Sequence, residues 1–198
     1  SKQMMEQTKT IIEVAKNSQH IHTTNNNSNN NNNNNNNTFN LNIFLNEDCK
    51  DAMNIIDFVN SLQYRISNLD YIGQAGYVEG VSKIILDGLK EMEVTKRPIH
   101  CTDAKRNSLY LRYDDQWNKE SCDMQQMKTV IRSVAHKSIQ KIPDWQKTHP
   151  GHTNPSTSVH KEYISIVNNA MGGATDAEDT NNYKNISHKV SNAVALDK

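Results

Sequence analysis

Three groups of residues in this chain have types and spacings that could do chemistry. Asp103-Ala104-Lys105 sets a carboxylate two positions ahead of an amine, the acid-x-Lys arrangement in which metal-dependent nucleases hold a cation and steady the attacking water. No upstream carboxylate is tied to the triplet by spacing, and such triplets arise by chance, so a solvated turn is the simpler reading. His149 and His152 have a ligand-like spacing, with His160 further on. A structural zinc site needs two ligand pairs, and the chain has no Cys-x-x-Cys, so these read as surface histidines of a polar loop. Cys49, Cys101 and Cys122 are odd in number and widely spaced, which fits reduced thiols and not a disulfide framework. No Gly-x-Ser-x-Gly, P-loop or dinucleotide fingerprint is present. No catalytic residue, metal or cofactor is therefore assigned.

A further group is basic: Lys96, Arg97, Lys105, Arg106 and Arg112, with Tyr110 among them. Lys plus Arg and Asp plus Glu both total 22, so attraction to nucleic acid would have to come from such a local patch. A histone-like or polybasic protein is excluded. Ile99 and Cys101 alternate with polar neighbours, as do Leu109 and Leu111, the period-two pattern of half-buried strands. The two runs predict a hairpin whose loop, Asp103 to Asn107, presents Lys105 and Arg106. Alternation puts Arg112 on the side of Tyr110, so three charges and an aromatic would face a phosphate backbone together.

The elements that must position these residues follow from the apolar periodicity. Phe39, Leu41, Ile43 and Leu45 alternate and predict a strand joining the hairpin's sheet. Ile55, Val59, Leu62 and Ile66 predict a helix ending near Ser67, and Asn68 to Gly76 a short helical piece or turn. Val78, Val81, Ile85, Leu89 and Met92 stripe a helix starting at Tyr77, whose Gly80 and Gly88 signal close packing against neighbours. Met124, Met127, Ile131, Val134 and Ser138 predict a helix that Pro143 kinks or ends, with Trp145 folding back onto the core. Thr148 to Ser158 reads as a loop. Tyr163, Val167, Ala170 and Met171 mark another helix closed by Gly172-Gly173; Thr175 and Glu178 then match a capping box. Tyr183, Ile186, Val190 and Val194 stripe the last helix.

The sum is an α+β domain, mostly helical, with a small antiparallel sheet of a strand plus a hairpin. Two helices around a glycine turn, then a hairpin, is also the order of a winged helix, in which the helix from Tyr77 would enter the major groove. Glu79, Asp87 and Glu91 offset Lys83 and Lys90, so that helix lacks the basic footprint of a groove reader.

Ahead of this domain (39–198), Thr24 to Thr38 is nearly all asparagine and has no apolar face to offset chain entropy, so 18–38 reads as a disordered tether. Met4, Thr8, Ile11 and Ala15 carry heptad spacing, so 1–17 reads as the end of a helical coil or as an isolated amphipathic helix. The chain opens inside that pattern, as a fragment of something longer would. No apolar run approaches the roughly 20 residues that cross a bilayer, and no secretory leader opens the chain, so a soluble intracellular protein without membrane partners is expected.

GYVEG at 76–80, KRPIHCTDAKR at 96–106, LYLRYDDQW at 109–117, IPDWQ at 142–146 and NAMGG at 169–173 together resemble a family of uncharacterised proteins of giant DNA viruses. The likeness spans Phe39 to Lys198. Several members are similar in carrying Cys/His zinc fingers, a helical coil and an asparagine-rich tether before this domain, and Lys2 to Asn17 would be the end of that coil. The resemblance implies a regulatory or DNA-associated protein of the host cytoplasm or viral factory, and supplies no catalytic residues. The leading expectation is a non-enzymatic interaction module, its partner another protein or a second copy engaged through the upstream coil. DNA or RNA contact through the hairpin comes second, and a metal-dependent nuclease third.

Overall fold

The computed structural model describes residues 39–196, so the expected coil end and tether lie outside the described residues. Those described form seven helices and one three-stranded antiparallel sheet, an α+β domain that is mostly helical. The helices are α1 (Ile55–Ser61), α2 (Ile66–Ala75), α3 (Tyr77–Lys90), α4 (Gln125–Ile139), α5 (Ile142–Thr148), α6 (Ser158–Ala170) and α7 (Asp176–Ala193). The strands β1 (Ile99–Asp103), β2 (Ser108–Tyr113) and β3 (Gln116–Lys119) lie in chain order between α3 and α4.

Helix α3 is the central element, flanked by α2, α4 and α7. Val81, Ile84, Ile85 and Leu89 form its buried stripe, and both of its glycines mark close approaches. A Cβ on Gly80 would lie 2.2 Å from Ile72 Cγ1 and 3.0 Å from Ile72 Cα of α2; one on Gly88 would lie 2.2 Å from Leu62 Cδ2. Gly76, at φ +88°, turns α2 into α3 in a conformation that only glycine adopts freely. The helix is therefore enclosed along its buried stripe, with Glu79, Lys83 and Lys90 left exposed on the other side.

The single helix expected from Ile55 to Ser67 is two. The chain leaves α1 at Leu62 and runs extended through Arg65, whose N–H donates to Asn68 Oδ1 at 2.7 Å. Tyr64 Oη donates to the Val59 carbonyl at 2.9 Å, holding the link down. Helical spacing continued across the break because Ile66 opens the next helix.

The strand expected at Phe39 to Leu45 is instead a helical turn, Leu41–Ile43, running into a π-helical turn, Phe44–Asp48. Asn40 decides it, since its side chain accepts from the backbone N–H groups of Asn42 at 3.0 Å and Ile43 at 3.3 Å, an N-cap that competes with strand pairing. Of the alternating residues only Leu45 is buried, and Ile43 is exposed.

The hairpin forms as expected, with Ile99 opposite Leu111 and Cys101 opposite Leu109. The third strand, β3, follows a two-residue turn in which Asp114 and Asp115 both have positive φ, the geometry of a type I′ turn. Asp-Asp lacks the glycine that usually announces such a turn. The outer edge of β1 is taken by the chain just past α7: Cys101 N–H donates to the Val194 carbonyl at 3.0 Å, and Leu196 N–H to the Cys101 carbonyl at 2.9 Å, in parallel.

Pro143 sits in the first turn of α5, where its missing N–H costs nothing, and Trp145 is fully buried as expected. Thr157 caps α6, whose buried residues are Ile166 and Ala170; Met171, placed in the stripe by spacing, is 69% exposed because the helix has ended. Thr175 accepts from Glu178 N–H at 3.2 Å, while the Glu178 carboxylate returns to Ala174 N–H at 2.7 Å, one residue short of a reciprocal box. Every helix and both β1 and β2 supply residues to one core.

Candidate functional site

The basic residues of the hairpin do not converge. Lys96 and Arg97 precede β1 and Lys105 and Arg106 follow it, so the five residues of β1, about 16 Å of strand, separate the pairs. Lys96 Nζ lies 3.4 Å from Asp51, and Arg97 Nε donates to the Leu89 carbonyl at 2.9 Å, capping the end of α3. Lys105 is exposed, and Arg106 is held only at 3.7 Å from Asp103. Tyr110 is half-buried opposite His100 and Lys119. Arg112 is on the side of Tyr110, yet that face is covered: the guanidinium donates to the Ala52 carbonyl and lies 3.5 Å from Asp115, and only 10% of the side chain is exposed. Strand alternation could not show that residues 44–52 would lie over this face. The hairpin turn is pinned as well. Asn107, at φ +53°, donates to Ser187 Oγ at 2.8 Å and accepts from Ser191 Oγ of α7.

The covered face holds a pair that sequence reading missed, Cys49 and His100, with Sγ 3.6 Å from Nε2. Phe44 meets the imidazole edge-on at 5.1 Å, and Trp117 lies 5.3 Å from it. A nucleophilic Cys–His pair needs a depressed thiol pKa beside an imidazole able to carry charge. Here the shifts run the other way. Burial, aided by Asp48 and opposed by Arg112, pushes the Cys49 thiol up to about 11. Burial, with Arg97 nearby, brings His100 down to about 4. Both are sealed from solvent, so the pair is a neutral packing contact. No sequence signal links residues so far apart.

The three spaced histidines have a different use. Each ring Nδ1 meets a backbone carbonyl: His149 that of Trp145 at 2.8 Å, His152 that of His149 at 3.1 Å, and His160 that of His152 at 2.6 Å. A carbonyl can only accept, so Nδ1 carries the proton in each, and the rings stitch the loop between α5 and α6. Among the described residues no group of three or more His, Cys, Asp or Glu stands close enough to hold a metal ion. His149 also stacks flat on Trp145, rings 4.0 Å apart, and the indole N–H donates to Asp70 at 2.6 Å. Asp70, Gly73 and Gln74 of α2, His149, and Glu162 and Ser165 of α6 line a cleft of about 320 Å³.

A second depression, about 290 Å³, runs between α1 and α3. Met53, Phe58, Leu62, Ile84 and Met92 supply its apolar part, and close to half of the lining is polar: Ser61, Gln63 and Arg65 stand on one bank, and Asp87 and Glu91 on the other. It was not legible beforehand, because Met53 and Met92 lie outside the two helices that frame it. No helix among the described residues is long and apolar enough to cross a membrane. Compared with known protein families, curated proteins and solved structures, the chain matches none.

Proposed function

We propose that this domain is a non-enzymatic interaction module, in the setting its sequence resemblance implies: a viral regulatory or DNA-associated protein of the zinc-finger type. The observation that carries the reading is the α1–α3 groove. Its volume is at the floor of the range for small-molecule pockets, so it suits the anchoring side chains of a polypeptide. Methionines at its mouth can re-pack around such anchors. The occupant is an amphipathic helix with apolar residues toward Leu62 and Met92, a basic residue toward Asp87 and Glu91, and an acidic one toward Arg65. Display of amphipathic helical peptides with that charge pattern should yield binders that Met92→Arg abolishes without lowering the melting temperature. Binders indifferent to Met92→Arg, or none at all, would refute it.

Nucleic-acid contact is the second reading, favoured by the exposure of Lys105 and Arg106 at the hairpin tip. Two such cations would give weak binding whose salt slope falls by about two when both become alanine. Absence of salt-dependent binding to single- or double-stranded DNA or RNA removes this reading. The nuclease reading gains no support, because Asp103 is occupied in its own turn, accepting the Arg106 N–H at 3.1 Å.

A further inference from the structure

We infer that the cleft between α2 and α6 is a binding site for a guanidinium group. Its polar groups are unbalanced in both charge and hydrogen bonding. Asp70 and Glu162 line it, neither makes an ion pair among the described residues, and no Lys or Arg is in the lining. His149 is fixed in place by its stack on Trp145 and by the bond from its Nδ1–H to the Trp145 carbonyl. One oxygen of Asp70 holds the buried indole N–H, which leaves the other free. The Ser165 hydroxyl donates to the Gly73 carbonyl at 2.7 Å, and Asn169 donates to the same oxygen at 2.9 Å, so the serine brings only lone pairs to the cleft. Gln74 supplies the one amide donor of the lining.

An acceptor-rich, anionic cleft selects a ligand that is cationic and rich in donors. Its polar groups come from α2, α6 and the residue that ends α5, a spread that suits a planar group with five N–H donors better than a compact ammonium. Charge-assisted bonds to two carboxylates would carry the affinity. An anionic ligand is disfavoured outright. The cleft stands apart from the α1–α3 groove, and either can fail without the other.

The test is a titration of the whole chain with methylguanidinium and with N-acetylarginine N-methylamide, read at the Trp145 indole N–H by NMR. Methylurea serves as the uncharged control. Saturable shifts with both cations and none with methylurea are expected. Tighter binding of the arginine amide assigns the site to a peptide side chain, and equal binding to a free guanidinium compound; both uphold the inference. Glu162→Gln is the decisive variant, because Glu162 makes no bond whose loss would disturb the fold. It should weaken binding at least about fivefold with an unchanged melting temperature. An equal response to methylurea, a Glu162→Gln variant that binds like the parent, or no saturation up to about 20 mM would overturn the inference.

Discussion

His100 shows how burial at one position couples to pH. Its folded pKa of about 4 is below the ordinary 6.5, so the unfolded chain takes up a proton in that window that the folded chain refuses. Stability is therefore unaffected above about 6.5, falls as pH drops below it, and reaches its full loss below about 4. The shift corresponds to about 3 kcal/mol. Urea unfolding of the parent and of His100→Gln at pH 7, 5 and 4 should show a steeper decline in the parent, and parallel declines would contradict the buried neutral imidazole. Asn107 is a second sensitive position. It satisfies Ser187 and Ser191, both fully buried, so Asn107→Ala should cost about 1–3 kcal/mol, whereas an alanine at exposed Lys105 should cost almost nothing. Asn107→Gly separates the causes, since it relieves the positive φ but still loses both hydrogen bonds.

Gly80 carries the prediction that belongs to the elements. Alanine there gains about 1 kcal/mol of helix propensity, but its Cβ would meet Ile72 at 2.2 Å, with backbone behind it at 3.0 Å. Overpacking of this kind costs about 1–3 kcal/mol, so Gly80→Ala should lower the urea midpoint at unchanged m-value. A rise in midpoint would show that α2 and α3 can move apart. That these glycines mark contacts was legible in the sequence, as were the hairpin, α3, α4, the Pro143 break and the buried Trp145, because periodicity and punctuation are local signals. The opening segment was misread because alternating apolar residues suit a strand until a capping asparagine is weighed. The spacing of His149, His152 and His160 was visible, but its meaning depended on carbonyls brought near by the loop. The covering of Arg112, the Cys49–His100 pair and the α2–α6 cleft each join distant segments, which no local pattern encodes.

At the scale of the whole molecule, one core unites all seven helices with β1 and β2, while Leu45, Cys49 and Ala52 are buried outside it, on the far face of the sheet. Residues 39–198 should therefore fold without what precedes them. A chain starting at Phe39 should melt within about 2 °C of the longer one, a shift that corresponds to about 0.5–1 kcal/mol at most. One starting at Met53 should be clearly less stable, since it strips the cover from His100 and Arg112. Equal stability of all three would mean that the covering segment contributes nothing.

The parallel contact at Cys101 bears on the order in which this protein can be completed. The sheet lies in the middle of the chain, yet the edge of β1 is closed by Val194 to Leu196. During synthesis β1 and its hairpin emerge long before that partner, with an open edge that could pair with another nascent chain. The domain becomes topologically finished only when residue 196 has cleared the ribosome, so premature termination in α7 would yield an adhesive species and not a smaller version of the fold.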